Sequence, residues 1–209
     1  MSGAPPLSAA DFRERTGVSA ATLARLEIMA ALLVKWQARI NLVGGATLAD
    51  VWRRHFLDSA QLLPLLPAAG PVVDLGSGAG FPGLVLAILG VPDVHLIESD
   101  GRKCAFLQEA ARATGTAVTL HRARAEAVPP MAAGAVTARA LAPLGQLLDL
   151  AEKFIAPHTI CVFPKGRNAE GELTESQKTW MMTATRIDSV TDSDATILKL
   201  EGLSRRHDR

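Results

Sequence analysis

Apolar and polar positions recur with two different periods along this chain, and the change falls near Gly70. Before it the spacing is helical. In "SAATLARLEIMAALLVKWQARI", residues Leu23, Leu26, Ala30, Leu33, Val34 and Ile40 keep to one helical face. Ser19 stands where an N-cap belongs, and Asn41 with the Gly44–Gly45 pair ends the run. A second helix is expected to open at "TLAD", where Thr47 and Asp50 have capping-box spacing. It is expected to run through "VWRRHFLDSAQLL" toward Pro64 and Pro67.

After Gly70, short apolar runs bounded by turn residues alternate with helical stretches. "PVVDLG", "VHLIES", "AVTLHR", "AVTAR" and "TICVFPKG" read as strands. "PGLVLAILG", "GRKCAFLQEAARATG" and "PLGQLLDLAEKF" read as the helices between them, the second closed by Gly115. A polar stretch, "NAEGELTESQKTWMMTAT", is expected to be helical. "RIDSV" and "ATILKLEGL" are expected to pair antiparallel at one edge, and the charged end "SRRHDR" to fray. The alternation predicts an α/β fold: a mostly parallel sheet covered by helices on both faces and preceded by N-terminal helices. One domain is expected over residues 1–209, with 1–70 as a helical layer and 71–209 as the α/β core.

Composition narrows the partners. Net charge is +1, so a nucleic acid would need a local patch rather than a basic surface, and the absence of tyrosine argues against a base-stacking platform. The start, "MSGAPPLSAADFRER", lacks the apolar stretch of a signal peptide, and "LVLAILGV" is too short for a membrane span. A cytoplasmic protein with no membrane partner is expected. Cys104 and Cys161 are isolated and expected to be inert, and His95, His121 and His158 have no metal-ligand spacing. No metal is expected. Trp36 and Trp52 read as core.

The chemistry centres on "VVDLGSGAGFPG", residues 72–83. Gly78, Gly80 and Gly83 satisfy G-x-G-x-x-G, and Glu98 follows where a ribose-binding acid belongs. Those features alone are compatible with a nicotinamide or flavin dinucleotide. Asp74 argues otherwise. An acid just before the loop suits a cationic ligand such as a sulfonium better than a pyrophosphate. D-x-G-x-G-x-G resembles the first motif of S-adenosylmethionine-dependent methyltransferases. No P-loop motif occurs.

The resemblance extends further. "ARINLVGG…WRRHFLDSAQLL", "VVDLGSGAGFPGLVLAI", "VHLIESDGRKCAFL", "ARAEAVP", "VTARALAPL" and "FPKG" follow one another as in one family. The chain resembles the small-subunit ribosomal RNA guanine-N7 methyltransferases, also called glucose-inhibited division protein B, over about residues 35–170. The resemblance implies a Rossmann-like methyltransferase fold with a seven-stranded sheet. It also implies S-adenosylmethionine as cofactor and methyl transfer to N7 of one guanine in 16S rRNA or the small ribosomal subunit. A monomer is expected.

Residue roles carried over from the resemblance are as follows. Gly76, Ser77, Gly78 and Phe81 match the loop beside the methionine part of the cofactor, with Asp74 before it. Glu98 matches the acid at the ribose, and Ala125 with Glu126 the pair bordering the adenine. Arg139 matches the arginine at the fourth strand end, next to the cofactor, although the family's preceding serine is Ala138 here. No catalytic base is required, because N7 carries an in-plane lone pair. Alignment of acceptor, methyl group and sulfur can supply the rate. Arg139 and Lys165 are positioning candidates. Arg53, Arg54, His55, Lys165 and Arg167 are candidate RNA contacts, with Arg54–Asp58 readable instead as a helical ion pair. Two alternatives stay open: a small-molecule or protein acceptor, and a dinucleotide-binding oxidoreductase or nucleotide sensor.

Overall fold

A computed structural model describes residues 5–206. Helices α1 (Ala9–Thr16) and α2 (Ala20–Gln37) come first, with Ser8 and Ser19 as their N-caps. A single turn, α3 (Gly45–Leu48), follows with Gly44 as its N-cap. Thr47 therefore lies inside α3 and is no cap. Asp50 serves elsewhere, accepting the Leu7 N–H at 2.7 Å. The next rod is π-helical over Trp52–Leu57 and continues as α4 (Asp58–Ala60). The expected single helix is thus two elements, and the wider π turn falls on "WRRHFL".

The sheet contains β1 (Val72–Leu75), β2 (Val94–Glu98), β3 (Thr119–Arg122), β4 (Ala135–Ala138), β5 (Ile160–Lys165), β6 (Trp180–Asp188) and β7 (Thr196–Arg205). Their order is β3-β2-β1-β4-β5-β7-β6. The first five are parallel, and β7 is antiparallel to both β5 and β6. The late antiparallel pair is as expected, but β6 is longer than "RIDSV". It begins at Trp180 and takes in "WMMTAT", which had read as helix. The helix there, α8 (Ala169–Ser176), stops earlier. Ser204 and Arg205 end β7 rather than fray, and residues 207–209 lie outside the described residues.

Helices α5 (Gly83–Ile88), α6 (Gly101–Ala113) and α7 (Leu144–Ala151) connect the parallel strands. Strand side chains alternate between faces. Val72, Leu96 and Ala135 point into one core with α5, α6 and the N-terminal helices, while Val73, Ile97 and Val136 point into another with α7. The N-terminal layer thereby shares a core with one face of the sheet. Arg25 of α2 adds a tie to the end of α6, bonding the Thr114 carbonyl and the Thr116 hydroxyl at 2.8 Å each. Trp36 and Trp52 pack edge-on or tilted against Phe106, Phe12 and Phe56, as core residues should. Cys104 and Cys161 are free and buried.

From β1 the chain runs outward to β3, then returns to β4 on the other side of β1. Such a reversal leaves a crevice at the carboxyl ends of the strands.

Candidate active site

A cleft of about 830 Å³ opens there, bounded by the β1–α5 turn, the ends of β2 and β4, and the "RHFLD" segment of the helical layer. Its volume lies within the roughly 300–1,000 Å³ of small-molecule sites. Gly76, Ser77, Gly78, Phe81, Glu98, Ala125, Glu126 and Arg139 all line it, as do Arg54, His55 and Lys165. Asp74, Arg53 and Arg167 do not.

The turn is pinned from beneath. The Ser77 N–H donates to the Ile97 carbonyl at 3.0 Å, and the Ser77 hydroxyl to the Asp74 carbonyl at 3.0 Å. Gly78 is left-handed at φ +56°, and its N–H meets Glu98 Oε2 at 3.0 Å. At Gly83 the reason for glycine is space: a Cβ would lie 2.5 Å from Leu96 Cδ2 and 2.6 Å from Asp74 Oδ2.

Asp74 does not face a ligand, contrary to expectation. It is wholly buried on the α5 side of β1, sharing strand parity with Val72. Its Oδ1 accepts the Thr137 hydroxyl at 2.9 Å and its Oδ2 the Gly83 N–H at 3.2 Å. Burial pushes its pKa up to about 6, against the pull of those hydrogen bonds. Asp74 is a brace between β1, β4 and the start of α5. Thr137 supplies its hydroxyl one residue before Ala138.

Glu98 ends β2 with its carboxylate at the cleft. Besides Gly78, it accepts the Asp100 N–H at 2.7 Å through Oε1. Each oxygen keeps a further lone pair for a hydroxyl. Ala125 and Glu126 form a short 3-10 turn after β3. Lys153 fixes that turn by donating to the Glu126 and Val128 carbonyls.

The other wall is a cluster around Arg139, whose side chain is only 18% exposed. Nη1 donates to the Arg54 carbonyl at 2.9 Å and to Asp58 Oδ2 at 3.1 Å, while Nη2 lies 2.8 Å from His55 Nδ1. The guanidinium sits 5.0 Å from the centre of the Phe81 ring, and His55 stacks on the same ring at 4.9 Å. His55 is buried. Burial first, then the charges of Arg139 and Arg54, lower its pKa to about 3, so the imidazole is neutral.

The alternative reading of Arg54 and Asp58 as a helical ion pair does not hold. Asp58 holds Arg139, and Arg54 pairs with Asp192 at 2.9 Å. Arg53 turns away to Asp50 at 2.8 Å. Arg167 is 84% exposed outside the cleft and bonds Asp194. Lys165 lines the cleft but is committed to Glu172 at 2.7 Å and to the Ala142 carbonyl at 2.9 Å. Glu172 also accepts the Leu144 N–H at 2.7 Å, so the pair anchors the segment between β4 and α7. Sequence reasoning missed Thr47, Asp58, Thr137 and Glu172 as parts of this site. Of these, only the His55-x-x-Asp58 spacing carried a local signal.

The GidB family, rRNA small subunit methyltransferase G, matches residues 22–200. The chain belongs to the GidB family. Ribosomal RNA small subunit methyltransferase G of Paramagnetospirillum magneticum is 58% identical over 192 residues, 91% of this chain and 94% of that one. The protein of the same name from Rhodospirillum centenum is 56% identical over 204 residues, 97% of this chain and 94% of that one. Among solved structures, M. jannaschii TYW2 in complex with AdoMet superposes with a TM-score of 0.58 at 14% identity, covering 81% of this chain and 80% of that one. That likeness shows the fold, a Rossmann-like methyltransferase sheet.

The donor set of this GidB-family cleft fits S-adenosylmethionine. A glycine-rich turn faces a carboxylate suited to two ribose hydroxyls, with the small Ala125 beside it for a flat base. Among the described residues, no group of three or more His, Cys, Asp or Glu side chains is arranged to hold a metal.

Proposed function

We propose that this protein transfers a methyl group from S-adenosylmethionine to N7 of a guanine in 16S rRNA of the small ribosomal subunit. The observation that supports this most is the pairing of two walls in one cleft: the Gly78–Glu98 wall fitted to a nucleoside, and the Arg139–His55–Phe81 wall facing it. The bound sulfonium supplies an activated methyl group. N7 carries a lone pair in the plane of the ring and needs no deprotonation. Among the described residues lining the cleft, the one imidazole has its Nδ1 occupied by Arg139. What the chain contributes is alignment, which alone is worth several powers of ten in rate.

Arg139 has five N–H donors. Three are taken by Arg54, Asp58 and His55. The remaining two serve a phosphate of the target nucleotide. Arg54 stands at the same rim, whereas Arg53 and Arg167 are set aside as RNA contacts. The shared core of helical layer and sheet supports a single domain. No described helix is long and apolar enough to cross a membrane, and we place the protein in the cytoplasm with its substrate.

The test is to incubate small ribosomal subunits from cells lacking the gene with the purified protein and S-adenosylmethionine. A single new N7-methylguanine, mapped by strand cleavage of 16S rRNA, is expected. Methyl groups in ribosomal protein, or none in RNA, would refute the reading. Within the same site, Glu98→Gln is expected to weaken S-adenosylmethionine binding by about tenfold, the worth of roughly one charge-assisted hydrogen bond. Calorimetric titration measures it, and an unchanged Kd would remove Glu98 from the ribose.

A further inference from the structure

A run of hydrogen bonds fixes the state of His55. Thr47 Oγ1 lies 2.7 Å from the Gly44 carbonyl, which only accepts, so the one hydroxyl proton of Thr47 is spent there. Thr47 Oγ1 must therefore accept from His55 Nε2, 2.8 Å away. That places the ring proton on Nε2 and leaves Nδ1 bare. Arg139 Nη2, a donor and never an acceptor, is 2.8 Å from Nδ1. An imidazolium would set N–H against N–H. The charged groups around the ring are Arg54, Arg139 and, through Arg139, Asp58. Asp192 sits beyond Arg54.

We propose that His55 is a positioning residue for methyl transfer, its bare Nδ1 fixing the guanidinium of Arg139 over the ring of Phe81. The proposal rests on the rRNA-methyltransferase reading given above. Asp58 and the Arg54 carbonyl hold Nη1, and a guanidinium held at one terminal nitrogen can still swing. Gripping Nη2 as well sets the plane of the fork, and with it the direction of the two donors left for RNA. Phe81 belongs to the glycine turn, so the same contact ties the acceptor side of the cleft to the cofactor side. The π turn over Trp52–Leu57 presents the Arg54 carbonyl, His55 and Asp58 to one side chain; such turns recur at functional sites.

Three variants test this. His55→Phe keeps a ring on Phe81 and removes the acceptor. Its kcat/KM for small subunits is expected to fall by at least about 30-fold, with the S-adenosylmethionine Kd within about threefold of the parent's. His55→Asn puts an amide oxygen near the Nδ1 position and is expected to restore most of the activity. Thr47→Val frees the Nε2 proton to move to Nδ1 and is expected to show an intermediate loss. Parent-like activity in a folded His55→Phe, or equal loss in His55→Asn and His55→Phe, would overturn the proposal. Should His55→Phe not fold, Thr47→Val decides, and parent-like activity there overturns it. Nitrogen-15 NMR of histidine-labelled parent gives a readout independent of turnover. It should show a bare Nδ1 and a protonated Nε2 down to about pH 5. The opposite tautomer, or an imidazolium, refutes the arrangement. A parent inactive on 16S rRNA but with this NMR signature would sink the functional reading and leave the grip on Arg139 standing.

Discussion

Gly83→Ala is expected to abolish S-adenosylmethionine binding and to destabilise the protein by about 3 kcal/mol, the upper range for an overpacked core site. The added Cβ has nowhere to go. It would meet Leu96 Cδ2 at 2.5 Å, Asp74 Oδ2 at 2.6 Å and Asp74 Cβ at 2.7 Å, and these atoms belong to neighbouring buried strands. Relief requires α5 to move off the sheet. That breaks the Gly83 N–H bond to Asp74 and drags the turn on which Gly78 meets Glu98. Thermal denaturation should show a midpoint lowered by about 6–12 °C for a chain of this size. Calorimetry should show no saturable binding. Gly45→Ala makes the comparison: no atom lies within 4 Å of its added Cβ, and it is already helical. A change of no more than about 0.5 kcal/mol, toward stability, is expected there. If Gly83→Ala bound the cofactor as the parent does, the turn would not be the cofactor cradle.

Asp74→Asn is expected to change how stability depends on pH. In the folded protein the carboxyl titrates at about 6, against an ordinary value of 3.8. The folded state thus holds the proton more tightly than the unfolded state does. The stabilisation from that proton is fully present below about pH 4 and is lost as pH rises through about 6. Two pH units correspond to about 3 kcal/mol. Asparagine has no proton to lose. Its oxygen can accept from Gly83 while its amide donates to the Thr137 hydroxyl, which rotates to accept. Relative to the parent, the variant should gain up to about 3 kcal/mol between pH 4 and pH 7.5 in urea denaturation. A pH-independent difference between the two proteins would show that the buried carboxyl is not the titrating group.

The two residues just discussed also show what was legible beforehand. Asp74 was picked out by its position before the glycines, and correctly tied to the loop. Its direction was not legible from spacing alone. The strand's alternation with Val72 carries its side chain toward α5, behind the turn and not into the cleft. The strand–helix rhythm was readable through β5 because apolar runs and turn residues mark each change. It failed at "WMMTAT", where polar flanks suggested helix. Yet Trp180, Met182 and Ala184 face the core while Met181, Thr183 and Thr185 face out, a period of two that outweighs local polarity. The cations fared worst. Arg54, a candidate RNA contact for which spacing offered Asp58 as the alternative partner, pairs instead with Asp192, 138 residues away. Partners set by topology leave no trace in local spacing, whereas the glycine turn, Glu98 and Arg139 do, because each ends a strand.

The sheet order has a consequence for how the molecule is made. β7 follows the other six strands in the chain but lies between β5 and β6. Its Ile197, Leu198 and Leu200 are buried, and Leu198 sits opposite Phe163 of β5. While the chain is being synthesised, β5 therefore waits with one edge unpaired until residues 196–205 have emerged. An open apolar edge is a template for wrong pairing, and so a point where a nascent chain needs shielding.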